Sequence, residues 1–243
     1  MIYVSTHAGK RHTVSEDAVL VGNQILTETS GTFPVPQQGF VSVADGVGGN
    51  RGGAKASQFV LKALAECNNT ERSGLKDFLT ETNQALIEVA AKGDAPDMAT
   101  TLTGLLFSPE GIPTLIHIGN TRAYIKQGRY LKQITSDHTT YNWLVSSGQH
   151  EAAEKYNKSE ITNCFGGKNP VLLSKLYISA VQEFSLALLT SDGIHEYVDL
   201  DTLEDIVSRE GTIEEKCEEM IRTAVEAGSE DDLTAVIICP VEE

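Results

Sequence analysis

The 243-residue chain carries 34 aspartates and glutamates against 19 lysines and arginines, a formal charge of −15. That balance argues against nucleic-acid or anionic-membrane partners, because both require clustered cations. Hydrophobic residues at 40% and charged residues at 22% exclude a disordered or fibrous chain.

Cys67, Cys164, Cys217 and Cys239 are widely spaced and form no Cys-x-x-Cys pair, so neither a disulfide framework nor a zinc site is indicated. A reducing cytoplasm is expected. Residues 1–20 are broken by charges, and no stretch reaches the ~20 apolar residues of a membrane helix. The length suits one large domain.

Residues 2–4 and 18–21 have strand character, with the polar stretch 10–17 between them as a hairpin. A loop over 29–39 leads into the apolar strand 40–44, which stops at Asp45-Gly46. From Gly53 the period becomes helical, placing Ala56, Phe59, Val60, Ala63, Leu64 and Cys67 on one face. A second helix sets Leu75, Phe78, Leu79, Ala85, Leu86 and Val89 toward the core, and Gly93 with Pro96 stops it.

Strands are expected at 101–107, 114–118, 122–125 and 130–134, joined by glycine-bearing turns as an antiparallel meander. The polar stretch 137–170 has mixed propensity and is read as a helical insertion or flap. Strands resume at 172–180 and 184–190, helices follow at 200–207 and 213–227, and a strand over 233–239 closes the chain. Strands and helices in blocks favour an α+β layered sandwich over a doubly wound sheet.

Three aspartates share one setting at a strand edge: Val43-Ala44-Asp45-Gly46, Leu189-Thr190-Ser191-Asp192-Gly193, and Glu230-Asp231-Asp232 before Leu233-Thr234-Ala235. An Asp-Gly pair alone is most often a turn. Carboxylates that converge at the end of one sheet repel each other unless cations neutralise them, so the trio implies metal. All the donors are oxygens, which favours Mg²⁺ or Mn²⁺ over Zn²⁺.

Seven blocks in order resemble the metal-dependent Ser/Thr protein phosphatases of the PPM, or type 2C, family. They are Ser15-Glu16-Asp17-Ala18, Ala44-Asp45-Gly46-Val47-Gly48-Gly49, Ala99-Thr100-Thr101, His117-Ile118-Gly119-Asn120-Thr121-Arg122-Ala123-Tyr124, Thr135-Ser136-Asp137-His138, Leu189-Thr190-Ser191-Asp192-Gly193 and Gly228-Ser229-Glu230-Asp231-Asp232-Leu233-Thr234. The resemblance spans nearly the whole chain. It implies a four-layer α-β-β-α sandwich of two antiparallel sheets flanked by helices, forming a single catalytic domain over 1–243 with the flap at about 137–170.

The resemblance also implies a site. Asp45 is expected to bridge two ions, the Gly46 carbonyl to complete one side, and Asp192 and Asp231 to hold the other ion. Glu16 and Asp17 are expected to act mainly through metal-bound waters. The implied reaction is hydrolysis of phosphoserine and phosphothreonine in protein substrates by a metal-activated water, reversing a cognate Ser/Thr kinase.

Three positions depart from the family pattern. His12 stands where an arginine usually grips the substrate phosphate, and it is expected to supply a weaker, titratable contact, with Arg11 as the alternative. Asn120 replaces an aspartate that contributes to a third, weaker ion, so a third cation is expected to bind less tightly. Val47 stands where some relatives carry a proposed general acid, which leaves that role unassigned, and His138 and His195 are expected to be structural or surface residues. His12 and Asn120 motivate one alternative, a catalytically weak phosphoprotein-binding module. A second, a two-metal nuclease, is disfavoured by the acidic balance.

Overall fold

A computed structural model describes residues 1–47, 52–67, 71–109 and 111–240. The first half contains β1 (Ile2–His7), β2 (Ala18–Gly22), β3 (Gln24–Leu26), β4 (Thr29–Phe33), β5 (Gly39–Ala44), β6 (Gly46–Val47), α1 (Gly53–Ala65), α2 (Arg72–Lys92), β7 (Ala99–Thr100), β8 (Leu102–Phe107) and β9 (Thr114–Ile118). The second half contains β10 (Arg122–Gln127), β11 (Tyr130–Gln133), α3 (Thr140–Ser146), α4 (His150–Ala153), β12 (Phe165–Gly166), β13 (Tyr177–Ala180), β14 (Leu186–Thr190), α5 (Asp192–His195), α6 (Leu200–Ser208), α7 (Ile213–Glu226) and β15 (Leu233–Ile238).

Two six-stranded antiparallel sheets dominate. One runs β11-β10-β14-β15-β1-β4 and the other β13-β9-β8-β5-β2-β3, with a small β12-β7-β6 sheet beside them. Strand alternation explains the layering, because successive side chains face opposite sides of a sheet. On β2, Ala18 and Leu20 pack with Val60, Leu61 and Leu64 of α1, whereas Val19 and Val21 turn inward to meet Val4, Val236 and Leu189 of the other sheet. The far face of that other sheet contributes Tyr3, Leu188 and Ile237 to a third core with Leu203 of α6 and Met220 of α7. Three apolar interfaces between four layers give the α-β-β-α sandwich. The capping box at Thr212 and Glu215 fixes the start of α7.

Several local expectations are corrected. β1 and β2 are not a hairpin: β1 pairs with β15 and β4, while β2 pairs with β5 and β3. The stretch 8–17 therefore crosses between sheets. The meander is divided in the same way, since β8 pairs with β9 and β10 with β11, but β10's other neighbour is β14. The expected loop at 29–39 contains the edge strand β4, whose Thr-Ser-Gly-Thr-Phe sequence offers no apolar alternation.

The strand expected from 172 begins only at Tyr177, because Asn169 and Pro170 start a 3₁₀ turn over Pro170–Leu173. Val89 lies on the outer side of α2 at 49% exposure. Among the described residues, no helix is long and apolar enough to cross a membrane.

This topology brings distant chain segments to one end of the sandwich. β5 ends at Ala44 opposite Ala18, the first residue of β2, and β14 ends at Thr190, two residues from Asp192. β1 ends at His7 opposite Leu233, the first residue of β15, so Asp231 and Asp232 enter at the same end.

Candidate active site

Asp45 leaves β5 with its backbone held. Its N–H donates to the Thr101 hydroxyl at 3.0 Å, and its carbonyl accepts from Thr101 N–H at 2.9 Å and the Thr100 hydroxyl at 2.9 Å. Gly46 N–H donates to the Glu16 carbonyl at 3.1 Å, and the Ser57 hydroxyl donates to the same carbonyl at 2.7 Å. The aspartate is thereby locked to the 15–17 segment. A side chain at Gly53 would lie 2.6 Å from the Glu16 carboxyl carbon and 2.7 Å from the Gly46 carbonyl oxygen, so glycine is required for this approach.

Asp192 opens α5 and accepts from the Asn120 side-chain amide at 2.9 Å. Asp17 is buried, and its Oδ2 accepts from the Thr234 hydroxyl at 2.7 Å. Asp231 accepts through Oδ1 from Asp232 N–H at 3.0 Å. A side chain at Gly193 would sit 2.0 Å from the Asp232 carbonyl oxygen, which shows how tightly the second and third acidic segments abut.

The electrostatics follow from this crowding. Burial first, then the charges of Asp192, Asp17, Asp231 and Asp232, push the Asp45 carboxyl well above its ordinary value. Burial and the charge of Asp232 raise Asp17 in the same way, against hydrogen bonds from Ser191 and Thr234. Asp192 is pushed up to about 7 by burial and by the charges of Asp231 and Glu196, with the Asn120 bond acting the other way. Burial also raises Glu16, with His12 opposing and Asp232 and Asp231 reinforcing.

Such a cluster is unfavourable without positive charge, and its donors suit hard divalent cations. Among the described residues, the only buried side-chain polar atoms lacking a hydrogen-bond partner are Asn120 Oδ1 and Glu16 Oε1. The first belongs to the residue that holds Asp192, as expected of a group left for an ion or its water. Asp45, Asp192 and Asp231 offer the carboxylate oxygens that a hard cation takes, with the Gly46 carbonyl as a further donor, and the ligand atoms of the three carboxylates are not all drawn within 4.8 Å of one another.

The sequence motifs assign Asp232 no role, yet it is the hub of the N-terminal loop. Its Oδ1 accepts from Gly9 N–H at 2.8 Å, and its Oδ2 accepts from Glu16 N–H at 2.6 Å and lies 3.0 Å from His12 Nδ1. The available signal was the adjacent acidic pair before a strand, one member facing the centre and the other facing the loop. His12 therefore reaches the acidic centre. Arg11 lies on the exposed side, 3.5 Å from Asp231 and 3.8 Å from Glu230.

Three other histidines are packed into the fold. His195 is buried against the Thr190 hydroxyl at 2.7 Å, and burial holds its pKa well below the ordinary value. His117 and His138 stack with ring centres 4.8 Å apart, both lowered to about 4 chiefly by burial. Val47 closes β6, and Gly48 and Gly49 lie outside the described residues.

Arg122, at the start of β10, is paired with Asp137. Its Nε donates to Asp137 Oδ1 at 2.9 Å and its Nη2 to Oδ2 at 2.6 Å. Beyond Asp137 the chain forms the short helices α3 and α4 and then β12, which pairs with β7.

A family model described as protein phosphatase 2C matches residues 30–237. A putative protein phosphatase 2C-type of Streptococcus pyogenes is 29% identical over 82% of this chain and 84% of its own length. The crystal structure of the serine/threonine phosphatase Stp1 from Staphylococcus aureus is 26% identical, superposes with a TM-score of 0.81, and is matched over 99% of this chain and 95% of that one. The catalytic domain of the serine threonine protein phosphatase PstP, solved in complex with two manganese ions, shares the fold at a TM-score of 0.77 and 24% identity over the full length of both chains. With the blocks, the four layers and the acidic centre agreeing, this chain belongs to the protein phosphatase 2C family.

Proposed function

We propose that the chain is a metal-dependent phosphatase that hydrolyses phosphoserine and phosphothreonine in protein substrates, reversing a Ser/Thr kinase in the cytoplasm. The observation that carries this reading is the convergence of Asp17, Asp45 and Asp192, each with its carboxyl raised by burial and by its acidic neighbours. Support also comes from the relatives, which are named as serine/threonine phosphatases.

In this reading Mg²⁺ or Mn²⁺ is held by Asp45, the Gly46 carbonyl, Asp192 and Asp231, with Glu16 and Asp17 contributing through water. Two such cations supply charge to lower the pKa of a water and to neutralise the phosphoryl oxygens. The chain's own residues supply position. The Thr100 and Thr101 contacts aim Asp45, Asn120 orients Asp192, and Thr234 holds Asp17 in place. The whole chain acts as a single catalytic domain, with the segment at about 137–170 as its flap. Chelator-treated protein is expected to release no phosphate from a phosphothreonine peptide and to regain turnover with Mn²⁺ or Mg²⁺. Metal-independent turnover would refute the reading.

A further inference from the structure

Among the described residues, His12, Asp231 and Asp232 bring three ligating atoms within 4.8 Å of one another, one of them an imidazole nitrogen. Asp45, Asp192 and Asp231 form no trio of that compactness, so the two groupings are distinct although Asp231 belongs to both. The geometry points to a separate divalent-cation site at His12, Asp231 and Asp232, beside the Asp45 and Asp192 centre. Its nitrogen ligand selects a borderline transition ion such as Co²⁺ or Zn²⁺ over Mg²⁺.

The separations suit coordination. His12 Nδ1 lies 3.0 Å from Asp232 Oδ2. That matches the roughly 3.0 Å between two adjacent ligands of an octahedral ion at about 2.1 Å from each. With Nδ1 given to the ion, the ring proton resides on Nε2, which faces the Glu16 carboxylate with Oε2 at 3.9 Å. A carboxylate behind the second nitrogen is the usual orienter of a metal-bound histidine.

Glu16 borders this grouping on the Nε2 side of His12. It is 5% exposed, and its Oε1 is a buried atom without a hydrogen-bond partner. The remaining contacts do not block the site. Asp232 keeps the amides of Gly9 and Glu16, and the exposed Arg11 meets Asp231 only at 3.5 Å. His12 is partly exposed, which leaves open positions for water and a path of entry.

Calorimetric titration with Co²⁺ and pulsed electron paramagnetic resonance of Cu²⁺-loaded protein test the site. Wild type is expected to bind one more Co²⁺ per chain than His12→Ala, and Asp232→Asn to weaken that ion tenfold or more. In Asp45→Asn, Cu²⁺ is expected to show imidazole-nitrogen couplings that vanish when His12→Ala is added. Circular dichroism checks that His12→Ala folds, and His12→Gln replaces it if it does not. Equal stoichiometry in wild type and the His12 variant, or nitrogen couplings that survive its loss, would overturn the site. Failure of the phosphatase reading would appear separately, as a wild type inert toward phosphopeptides with Mn²⁺.

Discussion

Asn120 donates its side-chain amide to Asp192 Oδ2 at 2.9 Å while its own Oδ1 is buried without a hydrogen-bond partner. One neutral amide thus orients a carboxylate and leaves an acceptor beside the acidic centre. Asn120→Asp replaces a donor with a further negative charge. The metal-free protein should lose about 1–3 kcal/mol of stability at pH 8, and Mn²⁺ should raise its melting temperature by more than it raises wild type. Melting curves with chelator and with Mn²⁺ check both effects.

Acidity should relieve the repulsion among the carboxyls of the metal-free centre. Asp192 is raised from 3.8 to about 7, and Asp17 and Asp45 are raised well above the ordinary value. A carboxyl raised in the folded state contributes stability fully below its unfolded pKa, and that contribution is lost as pH rises through the folded value. For Asp192 the loss spans pH 3.8 to about 7. Buried His117, His138 and His195 act in the opposite direction as pH falls, so the comparison is differential: chelator-treated Asp192→Asn should lose less stability from pH 5 to pH 8 than chelator-treated wild type, and Mn²⁺ should bind more tightly as pH rises, because protons compete for the same oxygens.

Asp45→Asn separates stability from activity. Losing the charge relieves repulsion from Asp192 and Asp17, so the metal-free variant should melt above wild type. Phosphopeptide turnover with Mn²⁺ should fall by at least ~10²–10³-fold, the scale seen when one preorganised electrostatic contact at a reacting centre is removed. Paired melting and turnover measurements read both.

Asp137→Ala strands the Arg122 guanidinium, which is three-quarters buried in side-chain terms and loses its paired acceptor. Removing one partner of a buried pair costs about 3–5 kcal/mol. Urea unfolding should show that loss, and proteolysis should nick the flap first.

Gly53→Ala introduces a carbon 2.6 Å from the Glu16 carboxyl carbon. The carboxylate or α1 must shift, at about 1–3 kcal/mol. Mn²⁺ affinity measured by calorimetry should fall together with the melting temperature.

Much of the layering was legible because strands such as β5 read as short apolar runs and apolar residues repeat at three or four in α1 and α7. Which strands pair was not. Residues 2–4 and 18–21 look like a hairpin locally, yet the first pairs with β15 at the far end of the chain and the second with the nearby β5. The strand-edge aspartates were readable as a group, because Asp45, Asp192 and Asp231 sit in similar settings. Asp232 was not readable, since its role depends on backbone amides at Gly9 and Glu16 that only the crossing of 8–17 brings to it. The need for glycine at 53 was hidden for the same reason, its close neighbours being Glu16 and Gly46.

Anomalous diffraction at the manganese edge, from crystals grown with Mn²⁺, tests the central claim most directly. The account predicts two peaks about 3.5–4 Å apart, flanking the Asp45 carboxylate, with Asp192 and Asp231 on one of them. Absence of ions from Asp45, or a single ion held without Asp192, would contradict it.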